Sequence, residues 1–367
     1  MNIPFLDFKH MHSQIRPEII QAFADVYDSY WYINGTEVSR FEKHYANFND
    51  TEYAVGVSNG LDALTLSLKV LGIGPGDEVI VPIHTYIATV LSISHVGATP
   101  VFVEPSLRTY NIDIHQLEKV VTSHTKAIIP VHLYGQACEM EAIVTFAQKY
   151  GLYVVEDNAQ AHGSHYNGRK TGSWGIVNAA SFYPGKNLGA LGDAGVITTN
   201  DSHLAKEVIK LRNYGSDKKY VNDIIGYNMR LDEMQAAFLT VKLNYIDDWN
   251  EERKEIASWY TSGLASLNDI TIPYTVNKSD HVFHLYVILV DKRDQLQNYL
   301  KDQGIHTLVH YPIPPHLQSA YNHLGLKKGT FPRAEMLADK CLSLPLYPGL
   351  TKDLVDQVIE VIYDFYE

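Results

Sequence analysis

The feature that most constrains the fold is an alternation of short apolar runs with helix-length segments through the first two thirds of the 367-residue chain. The apolar runs predict strands over residues 53–57, 78–82, 99–103, 126–132 and 154–157. Helical spacing of apolar residues predicts helices over 60–71, 85–97 and 139–150. This order is typical of an α/β fold, in which a largely parallel sheet carries helices on both faces.

A second, smaller unit is expected after the first. A long, partly polar helix is predicted over residues 232–264, and its later half would lead into this unit. The apolar run 281–290, a helix over 293–303 and a terminal helix from Asp353 predict a small α+β domain. We therefore predict a large α/β domain over 1–245 and a small C-terminal domain over 246–367, with the N-terminal segment packed on the small domain.

Composition excludes several classes of protein. The formal charge of −12 argues against nucleic-acid binding, which needs a basic face. Cys138 and Cys341 stand at unrelated positions, and the histidines lack metal-ligand spacing, so we expect neither a disulfide framework nor a metal site. The chain has no signal peptide and no apolar run long enough to cross a membrane, so we expect a cytoplasmic protein without membrane partners.

Lys186 lies among small, mostly uncharged residues in the stretch 181–195, which is an unusual place for a solvated lysine. Burial favours the neutral amine, the nucleophilic form that reacts with an aldehyde. Ser181 could hold a phosphate, and the apolar strand ending at Asp157 supplies a carboxylate. Pyridoxal 5'-phosphate (PLP) needs this combination of an amine, an acid for its ring nitrogen and phosphate donors.

The distinctive segments of the chain all follow predicted strands. They are residues 58–61, 84–86, 157–160 and 181–186. Parallel sheets bind ligands at the carboxyl ends of their strands, so these segments predict one common site.

Four segments in this order resemble the DegT-type sugar-nucleotide aminotransferases, which are fold-type I PLP enzymes: residues 58–64, 74–82, 156–163 and 226–237. The resemblance covers nearly the whole chain. It implies a mostly parallel mixed sheet flanked by helices, with a smaller C-terminal α+β domain. It also implies a PLP-dependent aminotransferase, because Lys186 stands where dehydrating members of the family have histidine.

The resemblance also implies roles for individual residues. Lys186 would form a Schiff base with PLP and move a proton, and Asp157 would pair with the ring nitrogen. Tyr86 would stack on the ring, and Gln160 would lie at its face or by its phenolic oxygen. The remaining residues would bind the phosphate: Gly60 and Leu61 through their backbone N–H groups, Ser181, and Asn228 from the neighbouring subunit of a homodimer. Leu61 replaces a threonine that is frequent in the family.

The substrate implied by the resemblance is a nucleotide-linked keto sugar. The details of residues 182–193, 213–216 and 310–315 are most similar to enzymes that convert a dTDP-3-keto-6-deoxyhexose to a dTDP-3-amino-3,6-dideoxyhexose for a surface glycan such as an O-antigen or S-layer. L-Glutamate would be the amino donor. Tyr183 and His310 would contact the hexose, and Lys219 would bind the diphosphate. The sequence does not distinguish the gluco epimer of the sugar from the galacto epimer.

Three other functions compete with this interpretation. A C4 aminotransferase acting on a UDP- or dTDP-linked 4-keto sugar would share every cofactor residue. A non-catalytic regulator with the same fold would be expected to lack Lys186 or Asp157. A nicotinamide-dependent dehydrogenase would need a G-x-G-x-x-G segment after an early strand, and residues 55–60 lack that spacing.

Overall fold

The computed structural model describes residues 2–367. The α-helices of this part of the chain are α1 (Lys9–Gln14), α2 (Arg16–Ser29), α3 (Thr36–Phe48), α4 (Gly60–Val70), α5 (Ile87–His95), α6 (Met140–Tyr150), α7 (Ser202–Leu211), α8 (Glu233–Leu243), α9 (Ile246–Leu264), α10 (Arg293–Asp302), α11 (Pro332–Lys340) and α12 (Lys352–Tyr366). The strands are β1 (Tyr53–Val57), β2 (Glu78–Pro82), β3 (Thr99–Val103), β4 (Thr125–Ile128), β5 (Tyr153–Asp157), β6 (His165–Tyr166), β7 (Arg169–Lys170), β8 (Val177–Ser181), β9 (Gly195–Thr199), β10 (Ile270–Thr271), β11 (Tyr286–Val290) and β12 (Cys341–Leu344).

Seven strands form the main sheet in the order β1-β9-β8-β5-β4-β2-β3. The five neighbouring strands β8, β5, β4, β2 and β3 pair in parallel. Strand β9 is antiparallel to both β8 and β1, so the chain reverses direction between Ser181 and Gly195. The expected mostly parallel mixed sheet is confirmed.

Helices cover both faces of this sheet because successive side chains of a buried strand point to opposite sides. In β2, Val79 and Val81 pack in the same cluster as Leu66 of α4. Ile80 packs instead with Ile143 of α6. The strands β1, β2 and β3 have the predicted bounds, and α4, α5 and α6 match the predicted helices to within two residues at each end.

A second, antiparallel sheet of β10, β11 and β12 packs against α9, α10 and α12 around a separate apolar core. The N-terminal segment joins this unit. The Ile3 N–H donates to Gly304 O at 2.8 Å, and the His306 N–H donates to Ile3 O at 3.0 Å. The smaller C-terminal unit is confirmed, whereas the boundary between residues 245 and 246 stays a prediction.

The prediction of a single helix over residues 232–264 is wrong. Helix α8 ends at Leu243, and α9 begins at Ile246. The Asn244 N–H donates to Val241 O and the Tyr245 N–H donates to Lys242 O, so tight i to i−3 bonds close α8 before α9 starts. The strand predicted over 126–132 is shorter in the structure, as β4, and the second half of the apolar run 281–290 forms β11.

Helices α1, α2 and α3 were not predicted from the sequence. Helix α2 exposes the apolar side chains of Ile20, Phe23 and Tyr27. Across residues 2–367, every helix is too short or too polar to span a lipid bilayer.

Candidate active site

A cavity of about 990 Å³ opens where the strands of the main sheet end and reaches the smaller unit. Nine of the side chains singled out in the sequence line it: Gly60, Leu61, Tyr86, Asp157, Gln160, Ser181, Tyr183, Lys186 and His310. Asp157 ends β5, Ser181 ends β8, and Gly60 begins α4. The structure therefore brings together most of the predicted site, at the carboxyl ends of parallel strands.

Lys186 follows β8 and is partly accessible from the cavity. Within the part of the chain that the structure describes, its Nζ atom has no hydrogen-bond partner. Burial lowers the pKa of the Lys186 amine to about 8, and the nearby Asp157 carboxylate partly opposes this shift. The neutral, nucleophilic form of the amine is therefore much more populated near neutral pH than in an ordinary lysine.

The loop that carries Lys186 folds tightly back on itself. A Cβ atom at Gly189 would lie 2.2 Å from Pro184 O and 3.0 Å from Tyr183 O, so the loop leaves no space for a side chain there. Lys242, a buried lysine of α8, donates from Nζ to Gly189 O at 2.7 Å. These contacts fix the backbone on the C-terminal side of Lys186.

Asp157 is buried, and both of its carboxylate oxygens accept hydrogen bonds. Oδ2 accepts from Thr89 Oγ1 at 2.8 Å, and Oδ1 accepts from the Ala159 N–H at 3.1 Å. Burial raises the pKa of Asp157, whereas these two donors and Lys186 act in the opposite direction. The carboxylate is thus held in place, in a setting where an adjacent cation would favour its charged form.

The N-terminus of α4 presents free backbone donors to the cavity. Asn59 caps the helix by accepting from the Asp62 N–H, while among residues 2–367 no partner is found for the Gly60 and Leu61 N–H groups. Gly60 packs so closely on Ser181 that a Cβ atom would lie 2.5 Å from Ser181 Cβ. The two N–H groups and the Ser181 hydroxyl therefore form one cradle suited to an anion.

Aromatic and amide side chains form another wall of the cavity. The ring of Tyr86 lies 5.4 Å from that of Tyr311, centroid to centroid. Gln160 accepts from the Tyr134 N–H at 2.6 Å and donates to Tyr311 Oη at 3.0 Å. Gln160 is therefore a fixed member of the cavity wall.

Tyr183 and His310 lie where a polar substrate could reach them. Tyr183 is 61% exposed. His310 bonds Ser343 Oγ through Nδ1 at 2.8 Å, and burial, with a smaller effect of Lys186, lowers its pKa to about 4. His284, another lining residue, has its pKa lowered well below the ordinary value, mainly by burial. Both imidazoles are neutral at physiological pH.

Lys219 and Asn228 do not line the cavity of their own chain. Both are exposed, and Lys219 Nζ lies 5.2 Å from the centre of the Tyr220 ring. Arg212, seven residues before Lys219, is held by Glu42 in an ion pair of 2.5 Å. The structure of one chain therefore does not bring these two predicted residues into the site.

The sequence did not identify several residues that line or support the cavity. They are Thr89, Tyr134, Lys242, Arg253, His284 and Tyr311. Thr89 had a usable signal, because it lies one helical turn after Thr85, in the segment that follows β2, and Thr85 Oγ1 bonds Thr89 Oγ1. Tyr311 had one too, because it directly follows His310 in the segment 310–315. Tyr134, Lys242, Arg253 and His284 have no spacing that marks them.

Comparison with known proteins gives a consistent picture. Residues 13–363 match the model of the DegT/DnrJ/EryC1/StrS aminotransferase family. The chain is 51% identical over 360 residues to dTDP-3-amino-3,6-dideoxy-alpha-D-galactopyranose transaminase of Aneurinibacillus thermoaerophilus, covering 98% of both chains. It is 47% identical over 365 residues to dTDP-3-amino-3,4,6-trideoxy-alpha-D-glucose transaminase of Streptomyces venezuelae, covering 100% of this chain and 96% of that protein.

Solved structures agree with these relatives. The crystal structure of DesV from S. venezuelae in complex with a ketimine intermediate superposes with a TM-score of 0.98 at 47% identity, covering 100% of this chain and 99% of that one. NtdA from Bacillus subtilis, solved with bound cofactor PMP, gives a TM-score of 0.92 at 31% identity, covering 99% of this chain and 85% of that one.

Proposed function

Because the chain belongs to the DegT/DnrJ/EryC1/StrS aminotransferase family, we propose that it transfers an amino group to C3 of a dTDP-linked 3-keto-6-deoxyhexose, using PLP. The observation that carries the proposal is the arrangement in one cavity of a partly neutral lysine amine, a buried carboxylate and an anion cradle. Two relatives named as dTDP-3-amino-sugar transaminases, at 47% and 51% identity, support the choice of sugar.

The residues present fit PLP by their chemistry. The unpaired N–H groups of Gly60 and Leu61, with Ser181 Oγ, would hold the phosphate. Asp157 would hold the protonated ring nitrogen, Tyr86 would pack on the ring, and Gln160 would lie beside it. Lys186 Nζ would bind the aldehyde carbon. PLP, when bound, supplies an aldehyde that accepts amines and a ring that withdraws electrons from the reacting carbon.

The side chains of this protein would then orient the reacting groups and carry the proton between the donor and the sugar. Lys186, once released by the incoming amine, would take a proton from the donor Cα and later deliver one to C3 of the sugar. Thr89 and the Ala159 N–H keep the Asp157 carboxylate oriented. Since the pKa of Lys186 is lowered to about 8, its amine can accept and release protons near neutral pH.

We assign sugar binding to Tyr183 and His310. Tyr183 is largely exposed on the cavity wall, and the neutral ring of His310 is fixed through Nδ1 by Ser343. Its Nε2 atom is then left to bond a hexose hydroxyl or the keto oxygen. L-Glutamate is the proposed donor: its amino group passes to C3, and the sugar keto oxygen is replaced as the donor becomes a 2-keto acid.

The proposed assembly is a homodimer with the active site at the subunit interface. An exposed apolar patch supports it, formed by residues 27–33 and 214–225, with Tyr220 88% and Ile225 93% exposed. Ile33 of the first segment pairs with Asp232, and Asn213, which directly precedes the second segment, pairs with Asn228. Exposed apolar residues of this kind are typical of a protein interface, and Asn228 is the residue proposed to reach a partner's phosphate cradle.

The test is a spectroscopic titration of the PLP-loaded protein. Glutamate is expected to remove the absorption band of the bound PLP, and dTDP-3-keto-6-deoxyglucose or its galacto epimer is expected to restore it. The epimer that restores the band faster identifies the sugar. A band that responds to glutamate and to 4-keto but not 3-keto sugars would contradict the C3 assignment and favour the C4 alternative.

The Lys186→Ala variant is the control. It should neither form the wild-type band nor turn over, because the amine is gone. Full activity of this variant would refute the proposed role of Lys186.

A further inference from the structure

Arg253 is a buried arginine of α9 that lines the cavity and has no carboxylate partner among the described residues. It is 1% exposed. Its hydrogen bonds to protein both come from Nη1, to Leu346 O at 3.3 Å and Phe283 O at 3.5 Å. These are long bonds, and Nε makes none.

A buried cation without a counter-charge is costly, so an arginine in this position needs an explanation. Burial lowers the pKa of Arg253 to about 10, with Glu252 opposing the shift. The guanidinium nevertheless remains protonated at neutral pH. The cavity wall therefore contains a permanent positive charge whose hydrogen-bonding capacity is largely unused.

Arg253 is also distinct from the other basic groups of the cavity. Among residues 2–367, the lysine and arginine side chains that line it are Lys186 and Arg253. Lys186 is assigned to the aldehyde of PLP. Burial lowers the pKa of His284 and His310, so both are neutral. Arg253 is therefore the cavity residue of this chain that remains positively charged when a substrate binds.

We propose that Arg253 binds a carboxylate of the amino-acid donor. The proposal rests on the transaminase function proposed above. Every amino-acid donor carries a carboxylate beside its amino group, whereas the keto-deoxyhexose ring is uncharged. A guanidinium can hold a carboxylate through two parallel hydrogen bonds, a geometry that neutral lining groups cannot provide.

With this role for Arg253, the cavity has separate contacts for the two half-reactions. The donor half uses the charge of Arg253, and the sugar half uses the neutral donors and acceptors of Tyr183 and His310. Loss of the arginine should therefore weaken reaction with glutamate far more than reaction with the amino sugar nucleotide.

The test compares both half-reactions in the Arg253→Gln variant loaded with PLP. The concentration of glutamate needed to half-remove the absorption band should rise by ~30-fold or more, as for truncation of a buried charged contact. The same titration with the dTDP-3-amino sugar should change by less than about threefold. Equal losses with both substrates, or no loss with glutamate, would overturn the proposal.

Arg293→Gln is the matched control. Arg293 also donates from Nη1 to two backbone carbonyls, Ala338 O and Cys341 O, but lies outside the cavity. This variant should react with both substrates like wild type. A donor-specific loss in Arg293→Gln as large as that in Arg253→Gln would contradict a role for the cavity charge.

A binding measurement keeps the proposal testable if Arg253→Gln folds poorly or if glutamate is not the donor. Glutarate has two carboxylates and no amino group, so it binds without reacting. Calorimetry of PLP-loaded wild type and Arg253→Lys should show weaker glutarate binding in the variant, since lysine lacks the paired donors. Unchanged affinity would overturn the Arg253 proposal alone. Failure of wild type to react with any amino acid would instead refute the transaminase function.

Discussion

At the scale of single residues, the site depends on two opposing effects on Lys186. Burial favours its neutral form, and the negative charge of Asp157 favours its protonated form. Asp157 in turn has its pKa raised by burial and lowered by Thr89, Ala159 and Lys186. The two groups therefore adjust each other's protonation before any ligand enters the cavity.

This coupling predicts the pH dependence of PLP uptake by the cofactor-free protein. The neutral amine reacts with the aldehyde, so the uptake rate should rise with pH around a midpoint of about 8 instead of the ordinary lysine value of 10.5. Asp157→Asn should move the midpoint to lower pH, because it removes the charge that raises the pKa of Lys186. Stopped-flow absorbance measures both. A midpoint that stays near the ordinary value, or moves upward in the variant, would contradict this account.

The residues that the sequence could group by position lie together in one cavity. Asp157 and Ser181 each end a strand, and Lys186 lies five residues after Ser181. Arg253 could not be grouped in this way, because it stands in the run Glu-Glu-Arg-Lys-Glu at residues 251–255, which is typical of a solvated helix face. The packing of α9 against the smaller unit buries it, and this contact is not visible in the local pattern.

At the scale of elements, the loop after β8 is the most demanding part of the site. Gly189→Ala would place a Cβ atom 2.2 Å from Pro184 O, so the backbone next to Lys186 must shift. We expect this variant to take up PLP at least ~10-fold more slowly, as misplacement of about 1 Å is costly for a reacting group.

Gly192→Ala in the same loop is the control. Its Cβ atom would meet the side-chain nitrogen of Gln235 at 3.2 Å, a contact that rotation of a flexible side chain relieves. It should therefore retain near wild-type uptake, measured by the same absorbance assay. Equal effects of the two substitutions would show that the backbone contact at Pro184 is unimportant.

Element prediction was most accurate for short apolar strands flanked by turn residues, such as β1 and β2. It failed over residues 232–264, because the helical spacing of apolar residues continues across the break at Asn244 and Tyr245. That break is set by local hydrogen bonds at the end of α8. A periodicity averages over several turns and does not register a change of direction made within two residues.

At the scale of the whole molecule, the proposed dimer makes a prediction about mixed subunits. Lys186→Ala and Asn228→Ala should each be strongly impaired alone. Unfolding and refolding an equal mixture should restore up to ~25% of wild-type activity, since a mixed dimer contains one site with both native residues. Size-exclusion chromatography with light scattering checks the assembly, and turnover checks the recovery. No recovery in a mixture that forms dimers would contradict a site completed by Asn228 of the partner subunit.

The arrangement of subunits could not be predicted from the fold of one chain. Lys219 and Asn228 carry no local signal that separates a loop residue from one that enters a neighbour's cavity. The structure adds the exposure of both residues, together with exposed apolar side chains in residues 27–33 and 214–225, which the sequence pattern does not reveal.

The pairing of Ile3 with Gly304 and His306 has a consequence for synthesis of the protein. Phe5 and Leu6, which line the cavity, follow directly on this pairing. During translation the segment must wait for residue 306, and at typical elongation rates the delay is roughly 15 to 60 s. The nascent chain can assemble its main sheet in that interval, but the cavity stays open on one side. The cavity wall is therefore completed late in synthesis, from segments that lie about 300 residues apart in the sequence.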